Sequence, residues 1–535
     1  MAISPIRLLP AARMRALDER AIGEVGIPGV VLMEQAGRGA VRMIVEAGWL
    51  KHRDDPVLIL AGKGNNGGDG LVVARVLLLA GYRRVRVGLL AAREQIRGDA
   101  RTNLEAFLKL GGTVVEIADA AAWEDLRLFE PSPALVVDGL LGTGLKSEVR
   151  GLYAVVIAAI NAFSGPVLAL DIPSGLDADS GRPLGSAVRA AATATFAFGK
   201  PGLYVTPGKS FAGRVEIIDI GIPDVWAEEE AEAVLLLTAD YVRSLLPEAL
   251  PADAHKGRRG HLLLFAGRPG FTGAGLLAAG AGLYAGCGLA TLALPATAAA
   301  AIEGSNPALM LCYLPENEER SGPGPLPESE LFRLLENRTA VVAGPGFGLG
   351  KGAGELLAGL IAACGKKNLP LLLDADALTL VAADPGLLLP DHGPLVLTPH
   401  PGEMARLLAT TSAEVQQQRL AAAQELAGRF AAWVVLKGAA SVIAAPDGRL
   451  AINTSGNSLL ATAGSGDVLS GVIGSFLARG LTPARAVSAG VFLHGRVADR
   501  FSDSGRKAGI TAVEIRDGLP AALAELAAGG GCGER

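Results

Sequence analysis

The sequence predicts an α/β protein built from two three-layer α/β/α domains, and three observations carry that expectation. The chain has 535 residues, too many for one ordinary core at roughly 150 residues per domain but suited to two large ones. Short Val, Leu and Ile runs alternate with Ala- and Leu-rich segments of helical length, and the runs are apolar on both faces. Parallel strands covered by helices on both sides of their sheet need that pattern. The rhythm fails once, around 223 to 255, where PDVWAEEEAEAV and PEALPADAHKG interrupt it. Domains are therefore expected at 1–225 and 237–535, with a linker at 226–236.

The first domain opens with two helical segments, roughly 11–24 and 29–48. PVLILAG, RVRVGLL, TVVEI, ALVVDGL and PVLALDIP follow as strands, then ATATFAF and RVEIIDIG. The second domain begins with HLLLFAG and LATLAL and continues through AVVAGPG, PLLLDAD and PLVLTPHPGE. It ends with WVVLKGAASVIAAP, RLAINTSG and a helical C-terminal third. Between Arg268 and Glu303 lie 34 uncharged residues, enough to span a bilayer. Gly273, Gly275, Gly280, Gly282, Gly286, Gly288 and Pro295 interrupt them, so the stretch reads as a small-residue helix on a sheet, then a buried strand at 289–294. The acidic run Glu228 to Glu230 reads as a solvated face, and the tail GGGCGER as frayed.

Lys plus Arg is 49 against 54 for Asp plus Glu, a net charge of −5, so the basic excess of a general nucleic-acid binder is missing. Half the residues are hydrophobic, which argues against disorder. With 71 glycines and only 4% aromatics, the cores must be Ala, Leu and Val, with much of the glycine in tight loops. Cys287, Cys312, Cys364 and Cys532 are too dispersed for a disulfide framework or a zinc site. They read as small buried residues in a reducing compartment. MAISPIRLLPAARMR has no apolar run followed by a small-residue cleavage site. A cytoplasmic homo-oligomer without a membrane span is expected.

In the first half, strand PVLILAG runs into GKGNNGGDG and a helix. Such a turn lets backbone N–H groups face an anion at the positive helix end. The spacing fits neither the P-loop nor the dinucleotide fingerprint. Standing alone, the loop could equally be a tight turn with Asp69 as a capping group. Strand ALVVD, however, ends at Asp138 before GLLGTGLKSEV, and PVLALD ends at Asp171 before IPSGLDADSG. Ligands bind at the carboxyl ends of parallel strands, so three polar loops converge there. Asn66, Asp138 and Ser174 offer oxygens to a hard monovalent cation, leaving Asp171 for proton chemistry. Taken singly, Asp138 and Asp171 would serve as caps or loop acceptors.

In the second half, Ala463 to Asp467 forms a glycine-rich turn opening an apolar helix. The amides of Gly464, Ser465 and Gly466 can surround a transferring phosphoryl group. Asp467 beside it can take a proton from an attacking hydroxyl, although a helix cap is the plain alternative. Lys437 to Ser441 follow a strand, in a position suited to nucleotide phosphate or adenosine. TPHPGE sets His400 and Glu403 in a loop after a strand, where a lone histidine is more often structural. GPGFG and LLLDADAL, with Asp374 and Asp376, complete the strand-end loops.

MRALDERAIGEVGIPGVVLMEQAGRGA, GNNGGDG, VVDGLLGTGL and DIPSGLDADSG, in that order, resemble the NAD(P)H-hydrate epimerase domain. The resemblance implies a Rossmann-like fold and potassium at Asn66, Asp138 and Ser174. It also implies substrate at Asn65, Asn66, Gly67, Gly68 and Asp69 and at Gly142, Thr143, Gly144, Leu145, Lys146, Ser147 and Glu148, with Asp171 involved in catalysis. Gln35 stands where that pattern usually has Asn. KGRRGHLLLFAGRPGFTGAGLLAA, GPGFG, LDADAL, TPHPGE, LKGAASVIA and AGSGDVLSG resemble the ribokinase-like ADP- or ATP-dependent NAD(P)H-hydrate dehydratase. This second resemblance implies hydrate contacts at Ala274, Gly346, His400 and Asp467. Nucleotide would be held by Lys437, Gly438, Ala439, Ala440, Ser441 and Gly466, with magnesium on its phosphates. Asn457 to Leu460 depart from the NPGM that often precedes the anion loop.

Together the resemblances imply a repair enzyme for hydrated NADH and NADPH, the first domain interconverting the two hydrate isomers and the second dehydrating the S form. A ribokinase-like small-molecule kinase fused to a regulatory domain is the alternative, and a nucleotide-sensing first domain is a second one.

Overall fold

The computed structural model describes residues 5–248, 251, 253, 255–317, 322–388 and 392–529. The tail with Cys532, and four residues of PEALPADAHKG, lie outside the described residues. The chain divides between Val234 and Leu235 into two compact units. That division falls inside the 226–236 stretch, which is not an open linker: it holds most of a short helix, Val225–Glu228, and the strand Val234–Leu237. Each unit is an α/β layer structure.

The first unit carries a seven-stranded sheet, all its pairings parallel. Its strands are buried along both faces in the centre: Val57–Ala61 and Leu135–Gly139 are buried at every position. In spatial order the sheet reads Thr113–Glu116, Val85–Leu89, Val57–Ala61, Leu135–Gly139, Val167–Leu170, Ala192–Phe196 and Arg214–Ile218. The chain moves outward from Val57–Ala61 to one edge, then returns to its other side at Leu135–Gly139. Strand order reverses there, which opens a crevice at the carboxyl ends of those two strands. The helices Ala11–Gly23 and Gly29–Glu46 fall within two residues of their expected ends. The acidic run forms exposed ion pairs instead of standing free: Arg20 meets Glu229 at 3.1 Å and Arg7 meets Glu228 at 3.2 Å. Such exposed pairs are each worth about 1 kcal/mol or less.

The second unit repeats that logic. From Leu450–Asn453 its sheet runs through Val442–Ala444, Trp433–Leu436, Leu395–Leu397, Leu371–Leu373, Ala340–Ala343, His261–Phe265 and Leu289–Pro295 to Met310–Leu314. The reversal lies between His261–Phe265 and Ala340–Ala343, and Gly267 N donates to Pro345 O across it at 2.8 Å. WVVLKGAASVIAAP forms a hairpin: Trp433–Leu436 pairs antiparallel with Val442–Ala444. Gly438 at φ +142° and Ala440 at φ +53° turn the chain between them. The uncharged stretch forms the helix Thr272–Tyr284 and the strand Leu289–Pro295. Its small residues allow close approach to the helix Ser465–Ala478: a Cβ on Gly471 would lie 2.0 Å from the Ala278 carbonyl oxygen. Among the described residues no helix is long and apolar enough to cross a membrane.

Candidate functional sites

In the first unit the glycine-rich segment is shorter as a loop than expected, because the helix Asn65–Leu79 begins inside it. Gly64 is the helix cap. Asp69 therefore lies beyond the first turn, is 8% exposed and caps nothing. The segment is pressed against the loop after the neighbouring strand: a Cβ on Gly62 would meet the Leu140 carbonyl oxygen at 2.0 Å. Gly142 abuts the Asn66 side chain, whereas Gly144 and Lys146 to Glu148 are exposed.

Asn66, Asp138 and Ser174 converge. Ser174 Oγ donates to Asp138 Oδ1 at 2.6 Å and accepts from Leu141 N at 2.9 Å. Ser174 N donates to Asp138 Oδ2 at 2.8 Å, and Asn66 Nδ2 donates to Leu141 O at 2.9 Å. Burial pushes the Asp138 carboxyl up to about 6, against the hydrogen bonds from Ser174 and Leu140. Asn66 Oδ1 is buried with no partner. An orphaned buried acceptor is costly, and beside a carboxylate, a hydroxyl and a carbonyl it completes an oxygen set that fits a hard cation. Among the described residues no group of three His, Cys, Asp or Glu residues gathers for a transition metal.

Asp171, at φ +62°, follows the next strand. Its Oδ1 accepts from Lys200 Nζ, and Lys200 also donates to Thr195 Oγ1 and Phe196 O, each at 3.0 Å. Lys200 is 1% exposed. One sign of it is legible in the chain, a lysine directly after the apolar run ATATFAFG. Asp18, on the first helix, is pushed up to about 6, chiefly by burial and against the Lys200 charge. Nothing in LDER announced that partnership.

In the second unit, Ala274 and Gly346 touch across the reversal, where a Cβ on Gly346 would lie 3.2 Å from Ala274 Cβ. Gly348 N donates to Asp376 Oδ2 at 2.8 Å. His400 caps its own helix, its Nδ1 accepting from Gly402 N at 3.0 Å, and its side chain remains half exposed. Burial lowers its pKa, and the charges of Lys437 and Arg406 lower it further. Lys437 is tied to Asp374 at 2.7 Å and lies 3.7 Å from Glu403. Ser470 Oγ donates to the other Asp374 oxygen at 2.6 Å. Gly438 to Ser441 form the hairpin turn beyond Lys437, and below it the buried Arg419 donates to Leu436 O at 3.2 Å and to Lys437 O at 3.3 Å.

Gly464, at φ +84°, caps the helix Ser465–Ala478, and Asp467 stands in its first turn with no capping bond. Burial first, then Asp374, push the Asp467 carboxyl up to about 7, against Lys437. Buried His494 meets Ser465 Oγ, on the first residue of that helix, at 3.2 Å. Asn457 to Leu460 form a 3₁₀ turn in place of the usual motif, with Asn457 Nδ2 donating to Asp499 Oδ1 at 3.0 Å. Gln35 lines a cavity of about 520 Å³ with Glu34, Arg38 and Arg75.

Residues 262–521 match the family model described as NAD(P)H-hydrate dehydratase, and residues 29–202 match that of the YjeF-related protein N-terminus. The bifunctional NAD(P)H-hydrate repair enzyme of Moorella thermoacetica is 43% identical over 522 residues, 97% of each chain. The enzyme of that name from Salinibacter ruber is 38% identical over 97% of this chain and 96% of its own. A crystal structure of the ADP/ATP-dependent NAD(P)H-hydrate dehydratase of Bacillus subtilis, co-crystallized with ATP and magnesium, is 30% identical. It covers 55% of this chain and 99% of its own, with a TM-score of 0.47.

Proposed function

Because the chain belongs to the bifunctional NAD(P)H-hydrate repair enzymes, and so joins an epimerase to a dehydratase, we propose how its two strand-end clefts divide the work. The hydrate carries a hydroxyl beside the ring nitrogen, and hydroxide is a poor leaving group. In the second unit Asp467 takes the hydroxyl proton as a phosphoryl group arrives, the amides of Gly464, Ser465 and Gly466 stabilise the charge, and phosphate then departs. Loss of a ring proton restores the double bond. Lys437 to Ser441 and Gly466 hold the nucleotide, which we take to be ADP, with ATP as the other candidate. Magnesium, when bound, neutralises charge on the transferring phosphates. Ala274, Gly346 and His400 border the hydrate.

That cleft takes one isomer at a chiral carbon, so the other must be converted. In the first unit the ring nitrogen lone pair expels the hydroxyl to give a planar cation, and water returns to either face. Asn65 to Asp69 and Gly142 to Glu148 hold the hydrate, and Asp171 provides negative charge for the cationic ring. Potassium, when bound at Asn66, Asp138 and Ser174, orders the loops and the substrate phosphate.

The observation that carries this reading is Asp467: a carboxyl pushed up to about 7 in the first turn of a glycine-capped helix is a base matched to neutral pH. The test is to supply mixed hydrate isomers with ADP or ATP, with and without potassium and magnesium, and to follow the return of reduced-nicotinamide absorbance. Complete return needs both units. A stable phosphorylated product with no return of absorbance would favour the kinase alternative.

A further inference from the structure

In the first unit the buried ammonium of Lys200 is paired with Asp171 and acts through space on two further carboxyls, Asp18 and Asp69. Their surroundings differ. Asp171 is ringed by donors: Lys200 Nζ, Phe196 N at 3.4 Å and Thr195 Oγ1 at 3.5 Å all reach its Oδ1. Asp69 is 8% exposed, and its carboxyl makes no hydrogen bond or ion pair to a described side chain. A buried carboxyl without a partner is costly unless neutral, and stability alone gives no reason to keep it. Burial first, then the charges of Asp171 and Asp18, push it well above the usual carboxylate range against the opposing pull of Lys200.

We infer that Asp69 carries the mobile proton of epimerisation, while the Asp171 carboxylate, held in place by Lys200, faces the forming cation. The inference rests on the epimerase reading and moves the proton transfer from Asp171, where the sequence alone put it. In the forward step the bond between ring carbon and hydroxyl oxygen breaks and its electron pair leaves with oxygen. Asp69 protonates that oxygen to give water, and the nitrogen lone pair forms the new double bond to carbon. In the return step water adds to either face of that carbon and gives a proton back to the Asp69 carboxylate. Lys200 is a positioning residue: it acts through Asp171.

The test uses the full-length protein and R hydrate without nucleotide, in heavy-oxygen water, so that isomer conversion and oxygen exchange are read together. Asp69→Asn is expected to slow both by about 100-fold or more while dehydration of the S form in the other unit, once nucleotide is added, stays at the parent level. Conversion and exchange at the parent rate in that variant overturn the inference. The parent protein gives a second reading that needs no variant. Its conversion rate must fall as pH rises, because the donor has to be protonated; a rate that climbs steadily with pH overturns the inference. The groups facing Asp69 in that titration are Asp171, Asp18 and Lys200. A parent that never interconverts the isomers sinks the epimerase reading itself, which is a distinguishable failure.

Discussion

The two units solve their electrostatics alike and then diverge. Each sets its cleft beside a reversal of strand order, and each ties one aspartate to a lysine, Asp171 to Lys200 and Asp374 to Lys437. Each also leaves a second aspartate without a lysine bond, Asp69 or Asp467, whose pKa burial raises. The divergence is in what surrounds the pair. The first cleft offers oxygens, including the unsatisfied Asn66 Oδ1. The second offers the amides of a helix start behind Gly464. Oxygens suit a cation and a substrate that becomes cationic, whereas amides suit a phosphoryl group gaining negative charge. In the mechanism proposed above, the same carboxylate arrangement serves a proton donor in one unit and a proton acceptor in the other.

The most severe way to break the comparison is reciprocal removal. Asp467→Asn is expected to cut dehydration of the S form by about 10²- to 10⁴-fold and leave isomer conversion intact, and Asp171→Asn to do the reverse. Separate assays with purified isomers check this, and joint loss of both activities in folded protein would end the division of labour. The next is structural. Lys200→Met leaves Asp171 unpaired in a largely buried site and should cost the first unit about 3 to 5 kcal/mol. Lys437→Met should cost the second unit a similar amount, because it strands an Asp374 carboxylate 1% exposed against 17% for Asp171, while Ser470 still donates to it. Urea titration of each activity in turn distinguishes the two.

A finer test uses pH. Asp467 works only when ionised and its carboxyl lies at about 7, so dehydration at limiting hydrate should rise about tenfold per pH unit below 7 and level off above. In Asp374→Asn a negative neighbour is gone, the ionised form of Asp467 becomes easier to reach, and that limb moves to lower pH. An unmoved limb would show that Asp374 does not tune Asp467. The smallest effect is Thr511→Ala, which removes the capping box with Glu514 from the last helix, Ala512–Ala528, and should cost about 1 kcal/mol in the second unit alone.

The contrast between hairpin and strand explains where reading from sequence stopped. Val57–Ala61 and Leu135–Gly139 are wholly apolar runs followed by glycine, and their place and direction follow from that pattern. Met310–Leu314 and Val234–Leu237 were passed over because one is a partly exposed edge strand and the other sits within an interruption of the rhythm. Asn66, Asp138 and Ser174 could be proposed together because each ends or follows a legible strand. Lys200, Asp18 and Arg419 could not, since each owes its importance to a partner on another element.

Composition and local pattern by themselves determined the α/β class and which glycine-rich turns follow which strands. Those features depend on the immediate environment of each residue, and periodicity records it. Tertiary structure alone decided the strand order, and with it which turns face each other. It also decided which aspartate a lysine neutralises, across 29 residues for Asp171 and 63 for Asp374. Charge and desolvation act through space, so the chemistry of a carboxyl is fixed only when the chain brings its distant neighbours within a few ångströms.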